Sequence, residues 1–282
     1  MTRCADLAGD DAREGTAPPG DHWFLVEHPG PWGRVAFAQS GFPPAVVAAM
    51  DGWVRSERGR VLLIRRPGRR VGTGPRRWFR VDSRPGHESV RTGTVADDTG
   101  LIGALHGGGS LHDGALNLVC AHGRHDACCA VRGRPLAAAL AAADPEGTWE
   151  CSHIGGCRFA PALVLLPHGF VLGGMAPSEG VAAAAGYADG VIDPGYLRGR
   201  STDPPAVQAA QCHARLVTGE HGVDALRLVT VEAPEPGRWR VVLGDPDVVV
   251  ELAEHRVDAG RPLTCAATGN GWLREFDVLG TT

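Results

Sequence analysis

The 282-residue chain contains no lysine, so all 28 of its basic residues are arginine. A Walker-type phosphate loop needs a lysine to reach the phosphates. Pyridoxal and Schiff-base enzymes need an amine that can lose its proton, which a guanidinium does not do. Both classes are excluded, although a chain-wide bias towards Ala, Gly, Pro and Arg accounts for the composition by itself. Long apolar runs are missing too. Nothing approaches the ~18 uninterrupted apolar residues that span a bilayer, and the strongest run, residues 160–166, has the length of a buried strand. Residues 1–20 hold acidic residues, small residues and a Pro pair in place of the basic start and apolar run of a secretory signal, so a cytoplasmic protein without membrane contact is expected. A hydrophobic content of 43% is that of a globular protein, and the length suits two domains, or one with large additions.

Against these absences stands a concentration of cysteine. Of Cys4, Cys120, Cys128, Cys129, Cys151, Cys157, Cys212 and Cys265, five fall between positions 120 and 157. In a reducing compartment such a cluster points to a metal site or redox centre rather than to the disulfide framework of a short secreted chain. The cysteines lie in two segments, 120–129 and 151–160, each following an expected strand. Backbone turns away from a sheet at strand ends, where side chains can converge on a bound group. Gly155-Gly156 removes two Cβ atoms between His153 and Cys157, which lets backbone wrap close to a bulky inorganic core. A [2Fe–2S] cluster needs two ligands on each iron, and two loops with two soft or imidazole donors apiece supply them.

The rest of the pattern is α/β. Trp23-Phe24-Leu25-Val26 reads as a strand, residues 28–33 as a loop too rich in Pro and Gly for helix or sheet, residues 44–58 as a helix, and residues 61–64 and 78–81 as strands. The order returns with a strand at 116–119, the cysteine loop, a helix at 135–143 opened by Pro135, a strand at 148–151, a hairpin of 162–166 with 170–173, and a helix at 178–188. Strand–helix–strand followed by hairpin–helix is the order of a thioredoxin-like sheet, and its recurrence leads us to expect a degenerate duplication. Beyond the Pro204-Pro205 break, a helix at 206–217 and strands at 225–232, 238–243 and 248–252 carry no evident chemistry. The expected organisation is a flexible tail at 1–21, an α/β domain at 22–107, a thioredoxin-like ferredoxin domain at 108–195, and an α/β or α+β extension at 196–282.

Three motifs carry a resemblance. W-F-L-V-E-H-P-G-P-W-G at 23–33, C-x-H-G-x-x-D-x-x-C at 120–129 and S-H-x-G-G-x-R-F-A at 152–160 resemble those of the sucrase/ferredoxin-like proteins, which belong with the thioredoxin-like [2Fe–2S] ferredoxins. Family members with two cysteines in the first loop and two histidines in the second resemble non-Rieske, histidine-ligated [2Fe–2S] proteins. Carried over, the resemblance implies Cys120, Cys129 and His153 as cluster ligands. Cys157 stands where many relatives have the second histidine, and all-cysteine thioredoxin-like ferredoxins also place two ligands four apart in this loop. The implied cofactor is a [2Fe–2S] cluster held by three thiolates and one imidazole. The implied activity is one-electron transfer, as a carrier or reductase component, with a redox partner protein as donor or acceptor.

Each residue also has a plainer reading. Cys151 suits a small core residue, and the loop spacing favours Cys129 over the adjacent Cys128. His122 and His125 are expected to hydrogen-bond around the site or to face water, Asp126 and Arg124 to order the loop, and Arg158 to offset cluster charge. Cys4, Cys212 and Cys265 receive no role. Residues 55–84 hold eleven arginines against Glu57 and Asp82. They lack a recognition motif and are interleaved with strand residues, which favours solvated strand faces or a docking surface for an acidic redox partner over nucleic acid. Two rival functions remain. One is a structural zinc ion on Cys120, Cys129, His153 and Cys157. The other is a thiol oxidoreductase, for which the C-x-x-C motif is missing. No acidic constellation supports sucrose hydrolysis.

Overall fold

The computed structural model describes residues 2–68 and 74–282. The first half runs β1 (His22–Glu27), α1 (Pro44–Ser56), β2 (Gly59–Arg65), β3 (Arg76–Asp82), β4 (Ser89–Val95), α2 (Gly100–His106) and β5 (Ser110–Leu111). The second half runs β6 (Leu116–Cys120), α3 (Ala127–Ala143), β7 (Thr148–Cys151), β8 (Ala162–Leu166), β9 (Phe170–Gly173), α4 (Pro177–Ala188) and β10 (Leu197–Arg200). Their strands form one mixed sheet in the order β10-β9-β8-β6-β7-β2-β1-β3-β4-β5.

That order reads the same from either edge. In the first half β1 pairs parallel with β2 and antiparallel with β3, which pairs with β4; in the second β6 pairs parallel with β7 and antiparallel with β8, which pairs with β9. The two halves share one wiring and meet where β2 and β7 run antiparallel, pairing Ile64 with Cys151 and Arg65 with Glu150. The sheet curls at this junction. Phe79 of β3 meets Trp149 of β7 edge-on with ring centroids 5.6 Å apart although two strands lie between them, where a flat sheet would separate the strands by roughly 14 Å. One apolar cluster, with Trp23, Leu25, Ile64, Phe79, Leu118 and Trp149, fills the concave face and joins both halves. Residues on the opposite face pack under the helices, Phe24 and Leu63 with α1 and α2, Val119 and Leu163 with α3 and α4.

Several elements differ from the sequence reading. Pro135 does not open α3. The helix begins eight residues earlier, because the Asp126 carboxylate accepts the Cys128 amide at 2.9 Å and supplies the N-cap. The helix tolerates Pro135 in its interior, where the Val131 carbonyl loses its usual partner on a residue that is 46% exposed. Residues 2–21, expected to be a flexible tail, lie packed against the body with Cys4, Ala5, Ala8 and Ala17 buried. Gln208 fixes that path, accepting the Ala17 amide and donating back to the Ala17 carbonyl. β4, α2 and β10 were not expected: β4 is a continuous strand whose apolar pattern is interrupted by Gly93, α2 is a helix of two turns, and β10 is a short Gly-containing strand whose pairing with β9 defines it.

The C-terminal region is α5 (Pro205–Thr218) packed on an antiparallel meander of β11 (Arg227–Glu235), β12 (Arg238–Gly244), β13 (Val248–Asp258) and β14 (Trp272–Thr281). Of the arginine-rich stretch 55–84, residues 69–73 lie outside the described residues. Among the rest, Arg58, Arg65, Arg66, Arg76 and Arg84 are each ion-paired.

The pair at the junction is the buried one. Arg65 Nε lies 2.7 Å from Glu150 Oε2, both side chains less than a tenth exposed, with the Arg65 guanidinium 4.2 Å from the Trp32 ring centroid. Removing one partner strands the other charge. Glu150→Ala is expected to lower the unfolding free energy by about 3–5 kcal/mol, with the Arg65→Met, Glu150→Met double variant recovering most of the loss. Urea titration measures both, and a single-variant loss under about 1 kcal/mol would assign the pair no more weight than a surface pair.

Candidate metal centre

The candidate residues collect at the carboxyl ends of two adjacent parallel strands, the position at which open α/β sheets usually receive ligands. Cys120 is the last residue of β6, in register with Cys151 at the end of β7. From these ends the chain turns into the 121–126 loop and the first turn of α3, and into the 152–156 loop and a 3-10 turn at Cys157–Phe159. Gly133 holds α3 against β6: a Cβ there would stand 2.1 Å from the Cys120 carbonyl oxygen.

The structure brings together Cys120, Cys129 and His153, and Cys157 adjoins this group at the same imidazole nitrogen as Cys129. Cys129 Sγ lies 3.9 Å and Cys157 Sγ 3.6 Å from His153 Nδ1. All three cysteines are buried and His153 is half-buried. Cys128 faces elsewhere, with its Sγ 3.6 Å from that of Cys4. Successive helical residues point about 100° apart, so two adjacent cysteines at a helix start cannot serve one point in space equally. Cys151 is fully buried in the concave core, and Cys212 on α5 donates to the Leu197 carbonyl.

The electrostatics of the four groups are coupled. Hydrogen bonding to Cys129 holds the Cys120 pKa well below the usual thiol value and Cys157 down at about 7, against burial and with help from His153. The same sharing pushes Cys129 up. Burial alone would lower His153, but the Cys120 and Cys157 sulfurs outweigh it and raise the imidazole to about 9. Without a metal, Cys120 and Cys157 are shifted towards thiolate, His153 towards imidazolium and Cys129 towards the neutral thiol. A metal ion would displace these protons, because thiolate and neutral imidazole are the ligating forms. The donor set therefore fits a thiophilic metal or an iron–sulfur core: three buried sulfurs and one nitrogen, converging from separate elements.

The surroundings are polar in specific places. His122 is buried; its Nε2 meets the Gly33 carbonyl at 2.7 Å and its Nδ1 accepts the His153 amide at 3.3 Å, which fixes the tautomer and ties the 28–33 loop to the ligand loop. His125 stacks on His153 with ring centroids 3.7 Å apart, its Nδ1 3.3 Å from the Arg34 carbonyl, and it falls within ligating distance of His153 and Cys157. Asp126 orders the loop by capping α3, whereas Arg124 is exposed. Arg158 does not face the site as expected, because it is ion-paired to Asp11 at 3.0 Å.

Sequence reasoning missed the arginines that do stand behind the ligand loop. Fully buried Arg198, its pKa drawn down to about 9 by burial, donates to the Gly155 carbonyl at 3.1 Å, and Arg60 donates to the Ile154 carbonyl at 2.8 Å. Gly156, at φ +73°, has no space for a side chain because a Cβ would stand 2.3 Å from the Arg198 guanidinium. The glycine pair thus makes room for a buried cation. No local signal marks Arg198, which lies on β10, 41 residues after Cys157. A cavity of about 350 Å³ lined by Arg34, Met50, Arg60, His122, His125 and His153 opens onto the imidazole side.

Comparison with known proteins agrees with the motifs. No curated protein and no solved structure matches the chain. The sucrase/ferredoxin-like family model matches residues 14–183, more than half of the chain and both halves of the large sheet up to α4. With the cysteine and histidine loops inside that match, the chain belongs to the sucrase/ferredoxin-like family.

Proposed function

We propose that Cys120, Cys129, His153 and Cys157 hold a [2Fe–2S] cluster on a thioredoxin-like unit, and that the protein is a cytoplasmic one-electron carrier or reductase component that works with a redox partner protein. The observation that carries this reading is that three buried sulfurs and one imidazole fall in overlapping groups of close donors beyond the ends of β6 and β7. When bound, such a cluster supplies a reversible one-electron couple.

The chain's own residues set the conditions for that couple. Three thiolates and one neutral imidazole leave the ligated core with a single net negative charge when oxidised and a double one when reduced. Arg198 and Arg60, fixed against the 152–156 loop, oppose that added charge and favour the reduced state. His122 orients the backbone at His153, and the stacked His125 shields one face of its ring. The sulfurs are buried while the imidazole edge meets the cavity, so the histidine side is the shortest path for an electron to reach a docked partner.

The rival zinc reading uses the same four donors and is separated by colour: a [2Fe–2S] protein is reddish-brown as purified, and a zinc or thiol protein is colourless. Cys129→Ser is expected to abolish the visible absorption because it replaces a ligating thiolate by a poor, harder donor, while Cys128→Ser retains it. Loss at Cys128 with retention at Cys129 would overturn the ligand assignment. His153→Cys adds a negative charge to the ligand set and is expected to lower the midpoint potential in a spectroelectrochemical titration. An unchanged or higher potential would remove His153 from the ligands.

A further inference from the structure

Three of the remaining cysteines meet at a second point. Cys4 comes from the N-terminal segment, Cys128 from the first turn of α3, and Cys265 from the loop joining β13 to β14, positions 124 and 137 residues apart along the chain. Their sulfurs form a triangle: Cys4 to Cys128 is 3.6 Å, Cys128 to Cys265 is 3.4 Å, and Cys265 to Cys4 is 3.6 Å. The Asp126 carboxylate closes the group, its oxygens 3.8 and 3.9 Å from Cys4 Sγ, and all four side chains offer ligand atoms within 4.8 Å of one another.

We infer that Cys4, Cys128, Cys265 and Asp126 form a second metal site, a structural zinc site of three thiolates and one carboxylate that ties both ends of the chain to the start of α3. A tetrahedron with zinc–sulfur bonds of about 2.3 Å sets its sulfurs about 3.8 Å apart, close to the triangle here. A disulfide would need sulfurs about 2.05 Å apart and would use only two of the three thiols. Asp126 is held for the task by the Cys128 amide on one oxygen, at 2.9 Å, and the Cys265 amide on the other, at 2.8 Å, which leaves a lone pair on each.

The site also has a structural reason. Residues 259–271 are all exposed or half-buried, and residues 2–9 bury only Cys4, Ala5 and Ala8, so neither segment has enough apolar surface to order itself. Both are nevertheless placed, with Asp11 between Arg158 and Arg261 at 3.0 and 2.5 Å. A metal binding three deprotonated sulfurs supplies folding energy that such segments lack. The two sites use the adjacent cysteines separately. Cys129 faces Cys120 and His153, Cys128 faces Cys4 and Cys265, and Asp126 lies within reach of both groups.

The test reads zinc and iron separately by elemental mass spectrometry on the full chain purified from zinc-containing medium. One zinc per chain is expected in the parent and is lost in Cys4→Ser and Cys265→Ser, with iron content and visible spectrum kept. Cobalt(II) added to the zinc-depleted parent is expected to give thiolate-to-cobalt charge-transfer and tetrahedral d–d bands that saturate at one equivalent, and these are absent in Cys265→Ser, whose exposed loop position keeps the variant foldable. Zinc retained in both variants overturns the site, as does a parent that neither contains zinc nor develops the cobalt bands. A joint loss of iron and zinc in Cys265→Ser overturns it too, since that result describes a single polynuclear centre. Because zinc is counted apart from iron, a parent lacking iron would sink the electron-transfer reading and leave this test readable.

Discussion

The Asp126 carboxylate is the constraint on which the arrangement of the cysteines depends. By accepting the Cys128 amide it starts α3 at Ala127 and so aims two adjacent cysteines in different directions. Had the helix begun at Pro135, Cys128 and Cys129 would lie in a loop with no fixed orientation. The second carboxylate oxygen takes the Cys265 amide, which brings the far end of the chain to the same place. An N-cap contributes only about 1 kcal/mol to helix stability, but here its geometric consequence is larger than its energy.

The duplicated wiring explains what each half does. The second half carries the thiols at the ends of β6 and β7. In the first half, the chain leaving β1 forms the 28–33 loop, which gives its Gly33 carbonyl to His122, while Trp32 packs edge-on against the same ring at 5.7 Å. One copy of the topology thus carries the candidate metal site and the other a cover over it.

Charge is managed without lysine. Arg198 and Arg60 donate to backbone carbonyls of the ligand loop and stay cationic beside the sulfurs, and Arg65 lies buried against Glu150 at the central junction. Guanidinium suits these positions because it presents several fixed donors and is less strongly hydrated than ammonium. The same residue type ties the outer segments through Asp11.

The sequence by itself determined the α/β class, the repeated order of elements, the family, and the two loops in which the candidate donors lie, because continuous apolar runs mark buried strands and because the motifs are local in sequence. It also placed Cys129 ahead of Cys128 on spacing. Only the tertiary structure decided the shared sheet, the cap that starts α3, the turning of Arg158 away to Asp11, and the burial of Arg198 behind Gly156. The meeting of Cys4, Cys128 and Cys265 was likewise invisible. Each of these is a contact between residues far apart in the chain, fixed by how strands pair and how the sheet curls, and neither spacing nor periodicity records that information.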